Sequence, residues 1–154
     1  MTRFWDVLAA ATVVGSGLMA GVFFAFSAFV MSGLRRLPDQ AGAAAMRSLN
    51  VTAQRAPLMI ALFGVSALCV AVAARALGTW SQPGSGWLLA GAILTFAGAL
   101  GVTIVVNVPL NNRLNAETIA WSSYLAGWNP ANHARTVLCL AGCAVLLVGL
   151  LRRL

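Results

Sequence analysis

Four apolar runs, each long enough to cross a bilayer as a helix, alternate with three polar stretches of unequal length. The runs predict spans at about 4–34, 57–76, 87–109 and 131–151. The first stops at Arg35 and Arg36, a basic pair typical of an interface, and Pro38 ends the helix. Residues 38–57, PDQAGAAAMRSLNVTAQRAP, are rich in alanine and start on Asp39, a natural N-cap, so they predict an extra helix after the first span. Pro57 then marks a bend or break before the second span. Residues 77–86, LGTWSQPGSG, are a turn. The polar stretch before the fourth span predicts a short helix around 116–125. The expected fold class is therefore an all-α integral membrane four-helix bundle, with one domain over residues 1–154. Four spans put both termini on one side and the 35–57 and 110–131 segments on the other.

Within the spans, small and polar residues recur at helical spacing. Thr12, Ser16, Phe23 and Ser27 share one face of the first helix, which the run FFAFSAF makes aromatic. Gly17 and Gly21 form a GxxxG step, and Gly91, Thr95 and Gly98 line one face of the third helix. These positions predict helix–helix contact, and glycine-rich faces also offer a route to a homo-oligomer. Cys69, Cys139 and Cys143 all lie in apolar runs, where free cysteine packs as a small buried residue. Trp80 and Trp87 fall where an interfacial aromatic belt is expected.

Composition agrees with the pattern: 60% of residues are hydrophobic and 8% charged, against about 25% charged in a soluble globular chain. The formal charge is +7, spread over helix ends, so the basic residues read as contacts to lipid headgroups and not as a nucleic-acid surface. Every basic residue is arginine, as a GC-rich genome would give, and a bacterial plasma membrane is the expected location. Setting aside Arg47, Arg55 and Arg135 as site residues, the remaining loop charges favour termini inside the cell. The apolar stretch after Arg3 is too long for a signal-peptide core, so no cleavable signal peptide is expected.

Polar side chains are costly in hydrocarbon, so those near the spans are the functional candidates. They collect at one end. Asn107, Asn111 and Asn112 follow the third span, Trp128, Asn129, His133, Arg135 and Thr136 open the fourth, and Arg47, Asn50 and Gln54 share one face of the extra helix. Asn129, His133 and Thr136 fall on one face of the fourth helix, and Asn132, Arg135 and Cys139 on the neighbouring one. Only Asp39 and Glu117 are available there to neutralise Arg47 and Arg135, so an unpaired guanidinium suggests an anionic or enolate-like guest.

The segments GVFFAFSAFVMSGLRRLP, NVPLNNRLN and WNPANHARTVLCLAG, taken together, resemble the anthrone oxygenase-like family of small four-helix membrane proteins. The resemblance covers nearly the whole chain. Fungal members are implicated in oxidising an anthrone to an anthraquinone. It carries across Asn107, Pro109, Asn111, Asn112, Trp128, Asn129, His133, Arg135 and Thr136, and it implies an oxidoreductase acting with O2 on a small hydrophobic aromatic substrate.

Two mechanisms fit these residues. A single histidine and three acidic residues cannot build a facial triad or a zinc or copper site within one chain, but one axial histidine suffices for haem b. His133 is then the metal ligand, with nearby arginines on the propionates. No CxxCH and no glycine-rich nucleotide fingerprint is present. Without a cofactor, His133 is a general base and Asn107, Asn111 and Arg135 stabilise the oxyanion of a substrate that reacts directly with O2. Arg47, Asn50, Gln54, Asn112, Trp128 and Asn129, with Phe23 and Ser27 of the aromatic first helix, then hold the planar substrate. A third reading makes the chain a non-enzymatic membrane partner subunit.

Overall fold

Proline and glycine set most of the helix boundaries. The computed structural model describes residues 2–153. Helix α1 comprises Thr2–Ala25, a π segment Phe26–Val30 and a last α turn Met31–Leu34. Helix α2 is Asp39–Ala53 and α3 is Leu58–Gly78. Helix α4 starts as Ser85–Phe96, passes through π segments Ala97–Gly101 and Thr103–Asn107, and ends as Val108–Asn115. Helix α5 is Trp121–Leu151. Helices α1, α3, α4 and α5 are the four apolar spans of a multi-pass membrane bundle.

The boundaries differ from the expected ones where proline was read as a stop. Helix α4 continues through Pro109 to Asn115, the proline falling where the π segment Thr103–Asn107 passes into the last α segment. The helix expected around 116–125 begins at Trp121 and runs through Pro130 into the fourth span without a break. Pro130 removes one backbone hydrogen bond. The stack of Trp121, Tyr124 and Trp128 holds the turns before it, with ring centroids 5.5 and 6.2 Å apart. Asp39 does not cap α2: the cap position is Pro38, and no side chain bonds the helix start. At Pro57 the chain breaks, with α2 ending at Ala53 and α3 starting at Leu58.

Around the bundle the order is α1, α3, α4, α5, each packed on its neighbours, and α3 lies diagonally opposite α5. Helices α4 and α5 approach most closely. A Cβ on Gly91 would sit 2.7 Å from Leu146 N, and one on Gly142 would sit 2.9 Å from Thr95 N, so only glycine fits this crossing. The expected face of Gly91, Thr95 and Gly98 is this interface. The GxxxG step is used only in part: a Cβ on Gly17 would sit 3.6 Å from Cys143 Sγ, and one on Gly21 would meet open space. In the α3–α4 turn Gly84 has φ +81, which glycine adopts without strain. The three cysteines are free, with Cys69 and Cys139 buried as expected. Trp80 and Trp87 are exposed beside that turn.

Two apolar clusters fill the interior. The larger runs from Ala9 and Ala76 up to Phe23, Leu62 and Cys139. The smaller packs α2, through Ala43 and Met46, against Met31, Leu114, Trp121, Tyr124 and Trp128. Helix α2 thus closes one end of the bundle, and a cavity remains where the clusters meet.

Candidate functional site

The cavity has a volume of about 210 Å³ and is lined by all five helices. The π segments help to shape it. Each closes with an i→i−5 bond, Met31 N–H to Phe26 O, Val102 N–H to Ala97 O and Val108 N–H to Thr103 O. The extra residue in such a turn resets the helix face that follows it. Phe26, Leu100, Thr103, Ile104 and Asn107, drawn from these three segments, all line the cavity. Thr103 Oγ1 donates to the carbonyl of Ala99.

Polar atoms without partners concentrate here. Asn50 Nδ2, both side-chain atoms of Asn107, Trp128 Nε1 and Arg135 Nε are buried and make no hydrogen bond. All four residues line the cavity. A buried donor or acceptor left unpaired costs about 1–3 kcal/mol, so their convergence points to a polar group on a guest.

Arg135 is 8% exposed, and its Cζ lies 3.6 Å from the centroid of the Phe23 ring. Its Nη1 reaches Asn132 Oδ1 at 3.5 Å, at the limit for a hydrogen bond. Among the described residues no carboxylate pairs with it. The one ion pair among the described residues joins Arg47 Nη1 to Glu117 Oε1 at 3.3 Å. Glu117 adopts φ 57 in the turn after α4, a left-handed conformation uncommon outside glycine. Tyr124 is fully buried and donates to Asn111 Oδ1 at 2.8 Å, which orients that amide at the cavity wall.

The expected site residues therefore divide. Phe23, Asn50, Gln54, Asn107, Asn111, Trp128 and Arg135 line one cavity. His133 does not; it is exposed and lines a separate polar pocket of about 130 Å³ with Ser27, Arg35 and Asn129. Two positions along a helix turn the side chain by about half a circle, so the faces of His133 and Arg135 diverge. Asn112 is exposed outside both pockets, and Arg47 belongs to the surface with Glu117.

Asn132 forms the wall between the two chambers and lines both. Its Nδ2 donates to Phe23 O at 2.8 Å and to Ser27 Oγ at 2.9 Å. Ser27 Oγ also lies 2.8 Å from His133 Nδ1 and 3.3 Å from Thr136 Oγ1. Asn132 was placed on the Arg135–Cys139 face without a role of its own, and neither Tyr124 nor Thr103 was given a role from the sequence. For Asn132 the signal was its place on the Arg135–Cys139 face, which continues as the buried stripe of α5. The role of Tyr124 could not be read, because it depends on Asn111 across the α4–α5 turn.

The cavity's mouth lies on the flank of α2, α3 and α4, where its lining residues are also exposed. Phe63 is 57% and Ile104 56% exposed, with Leu49, Val108 and Gln54 completing the rim. Apart from Gln54 that rim is apolar, and Phe63, Ile104 and Val108 in it belong to the spanning helices α3 and α4.

The residues around His133 do not fit haem. The imidazole faces a small pocket walled by Ser27, Ser32, Arg35, Asn129 and Asn132, without the broad apolar slot a porphyrin needs. Among the described residues no group of three or more His, Cys, Asp or Glu side chains converges to hold a metal ion.

No curated protein and no solved structure matches the chain. The family model for anthrone oxygenase matches residues 50–145, which include the α3, α4 and α5 walls of the cavity and Asn50 of α2. With well over half its length matched, from Asn50 past Arg135, the chain belongs to the anthrone oxygenase family.

Proposed function

We propose that the protein is a membrane oxygenase that binds an anthrone- or phenol-like fused aromatic in the cavity as its anion and passes that anion to O2. The observation that carries this reading is the buried, unpaired guanidinium of Arg135, set among the unsatisfied amide and indole groups of Asn50, Asn107 and Trp128. A guanidinium without a carboxylate stabilises an oxyanion, and donors already aimed at the site need little reorganisation as charge develops.

The chemistry balances as follows. An anthrone gives up its acidic ring C–H proton to interfacial water at the Gln54 edge of the mouth, and its oxygen becomes an enolate on Arg135 and Asn107. The anion passes one electron to O2, and the radical pair joins to form a C–O bond and a peroxide. Loss of water breaks the O–O bond, with the second ring hydrogen leaving as a proton, and a quinone carbonyl remains. One anthrone and one O2 yield one anthraquinone and one water. Phe23, Phe26 and Trp128 stack on the planar rings. His133 is a positioning residue that holds Ser27, and through it Asn132 and Arg135.

The test is oxygen uptake and anthraquinone absorbance with the purified protein in lipid vesicles supplied with an anthrone. Arg135→Gln should lower turnover on the order of 10²–10³-fold, the effect of losing one oxyanion donor. His133→Ala should lower it less. Wild-type protein that does no better than empty vesicles would refute the reading and leave the chain as a non-enzymatic partner subunit.

A further inference from the structure

At the opposite end of the bundle three arginines meet around a second polar hollow. Arg75 from the end of α3 and Arg152 and Arg153 from the end of α5 line a pocket of about 270 Å³ together with Trp5 and Asp6 of α1. Their guanidinium groups are held by neutral partners. Arg153 Nη2 donates to Ser85 Oγ at 2.8 Å and to Thr79 Oγ1 at 3.2 Å. Arg75 Cζ lies 5.5 Å from the Trp5 ring centroid, and Arg152 Cζ lies 5.2 Å from that of Trp87. Arg75 Nε and Arg153 Nε are buried without a hydrogen-bond partner. Among the described residues Asp6 makes no ion pair with any of them. Burial and the neighbouring Arg75 push the pKa of Arg153 down, and Asp6 offsets this only in part.

This arrangement differs from ordinary solvated cations at a helix end. Serine, threonine and tryptophan fix the guanidinium planes, and among the described residues Asp6 alone stands against the three positive charges, paired with none of them. Fixed guanidinium forks match the tetrahedral oxygens of a phosphate. The pocket opens where exposed Trp80 and Trp87 mark the membrane interface, at the depth of lipid headgroups.

We infer that this end of the bundle is a binding site for a phosphate group, supplied by the headgroup of an anionic phospholipid. The inference stands independently of the oxygenase reading, since no residue is shared with the cavity.

The experiment measures the thermal unfolding midpoint of the full-length protein in detergent while phosphatidylglycerol is added. Phosphatidylcholine with the same acyl chains and inorganic phosphate form two parallel titrations. A saturable rise with phosphatidylglycerol alone is expected. Arg75→Gln and Arg153→Gln should each weaken the apparent affinity by about fivefold, as removal of one basic contact to an anionic headgroup implies. Arg153→Lys keeps the charge but loses the planar fork, so it should weaken binding too and serves if the neutral variants fold poorly. Arg36→Gln, the same charge change at the other end, should leave the titration unaltered. An equal rise with inorganic phosphate would overturn the lipid assignment, and an equal loss in Arg36→Gln would overturn the site altogether.

Discussion

Arg135 rests on the face of Phe23 with a weak contact to Asn132 and no carboxylate. A core selected only for stability would place an apolar side chain there, since a buried charge without a partner is expensive. The same holds for Asn107, which is 1% exposed and has neither side-chain atom bonded. Arg135→Met and Asn107→Leu should therefore unfold at a temperature equal to or above that of the wild type while losing turnover. A lower melting temperature in both would assign the pair a structural role. Asn107 and Arg135 were legible in the sequence as polar residues collected at the same end of the apolar spans. The placing of His133 and Arg135 on neighbouring faces was legible too, but not that the His133 face opens on a separate pocket, which depends on how α5 is rotated against its neighbours.

At the scale of the helix, the α4–α5 crossing is set by residues without side-chain bulk. A Cβ on Gly142 meets backbone atoms of α4 at 2.9 and 3.0 Å, and these cannot rotate away. Gly142→Val should cost about 3 kcal/mol, the upper end of ordinary overpacking, and should lower the unfolding midpoint measured in detergent. This contact was readable, because Gly91, Thr95 and Gly98 repeat at helical spacing on the facing helix. The π segments were not. Residues 97–107 look like any apolar helix, and no residue type in them marks the register change. The helix ends at Pro109 and Pro130 were misplaced for a related reason: surrounding contacts offset the missing hydrogen bond, and only tertiary structure contains them.

For the molecule as a whole, the four spans followed from apolar length alone, whereas their order around the bundle and the place of α2 did not. The continuous α5 links the two ends. At ~1.5 Å per residue, Arg135 lies about 24 Å along the helix from Leu151. The hydrocarbon layer is about 30 Å thick, so the guanidinium is enclosed in the bundle at the depth of the acyl chains. The cavity beside it opens through Phe63, Ile104 and Val108 toward those chains. On the proposed function, a mouth facing sideways makes the membrane the solvent from which the substrate would be drawn. Turnover should then follow the mole fraction of anthrone in the lipid and not its amount per volume of buffer. Adding empty vesicles at constant total anthrone should slow the reaction in proportion to the added lipid, whereas a rate indifferent to that dilution would mean the substrate arrives from water.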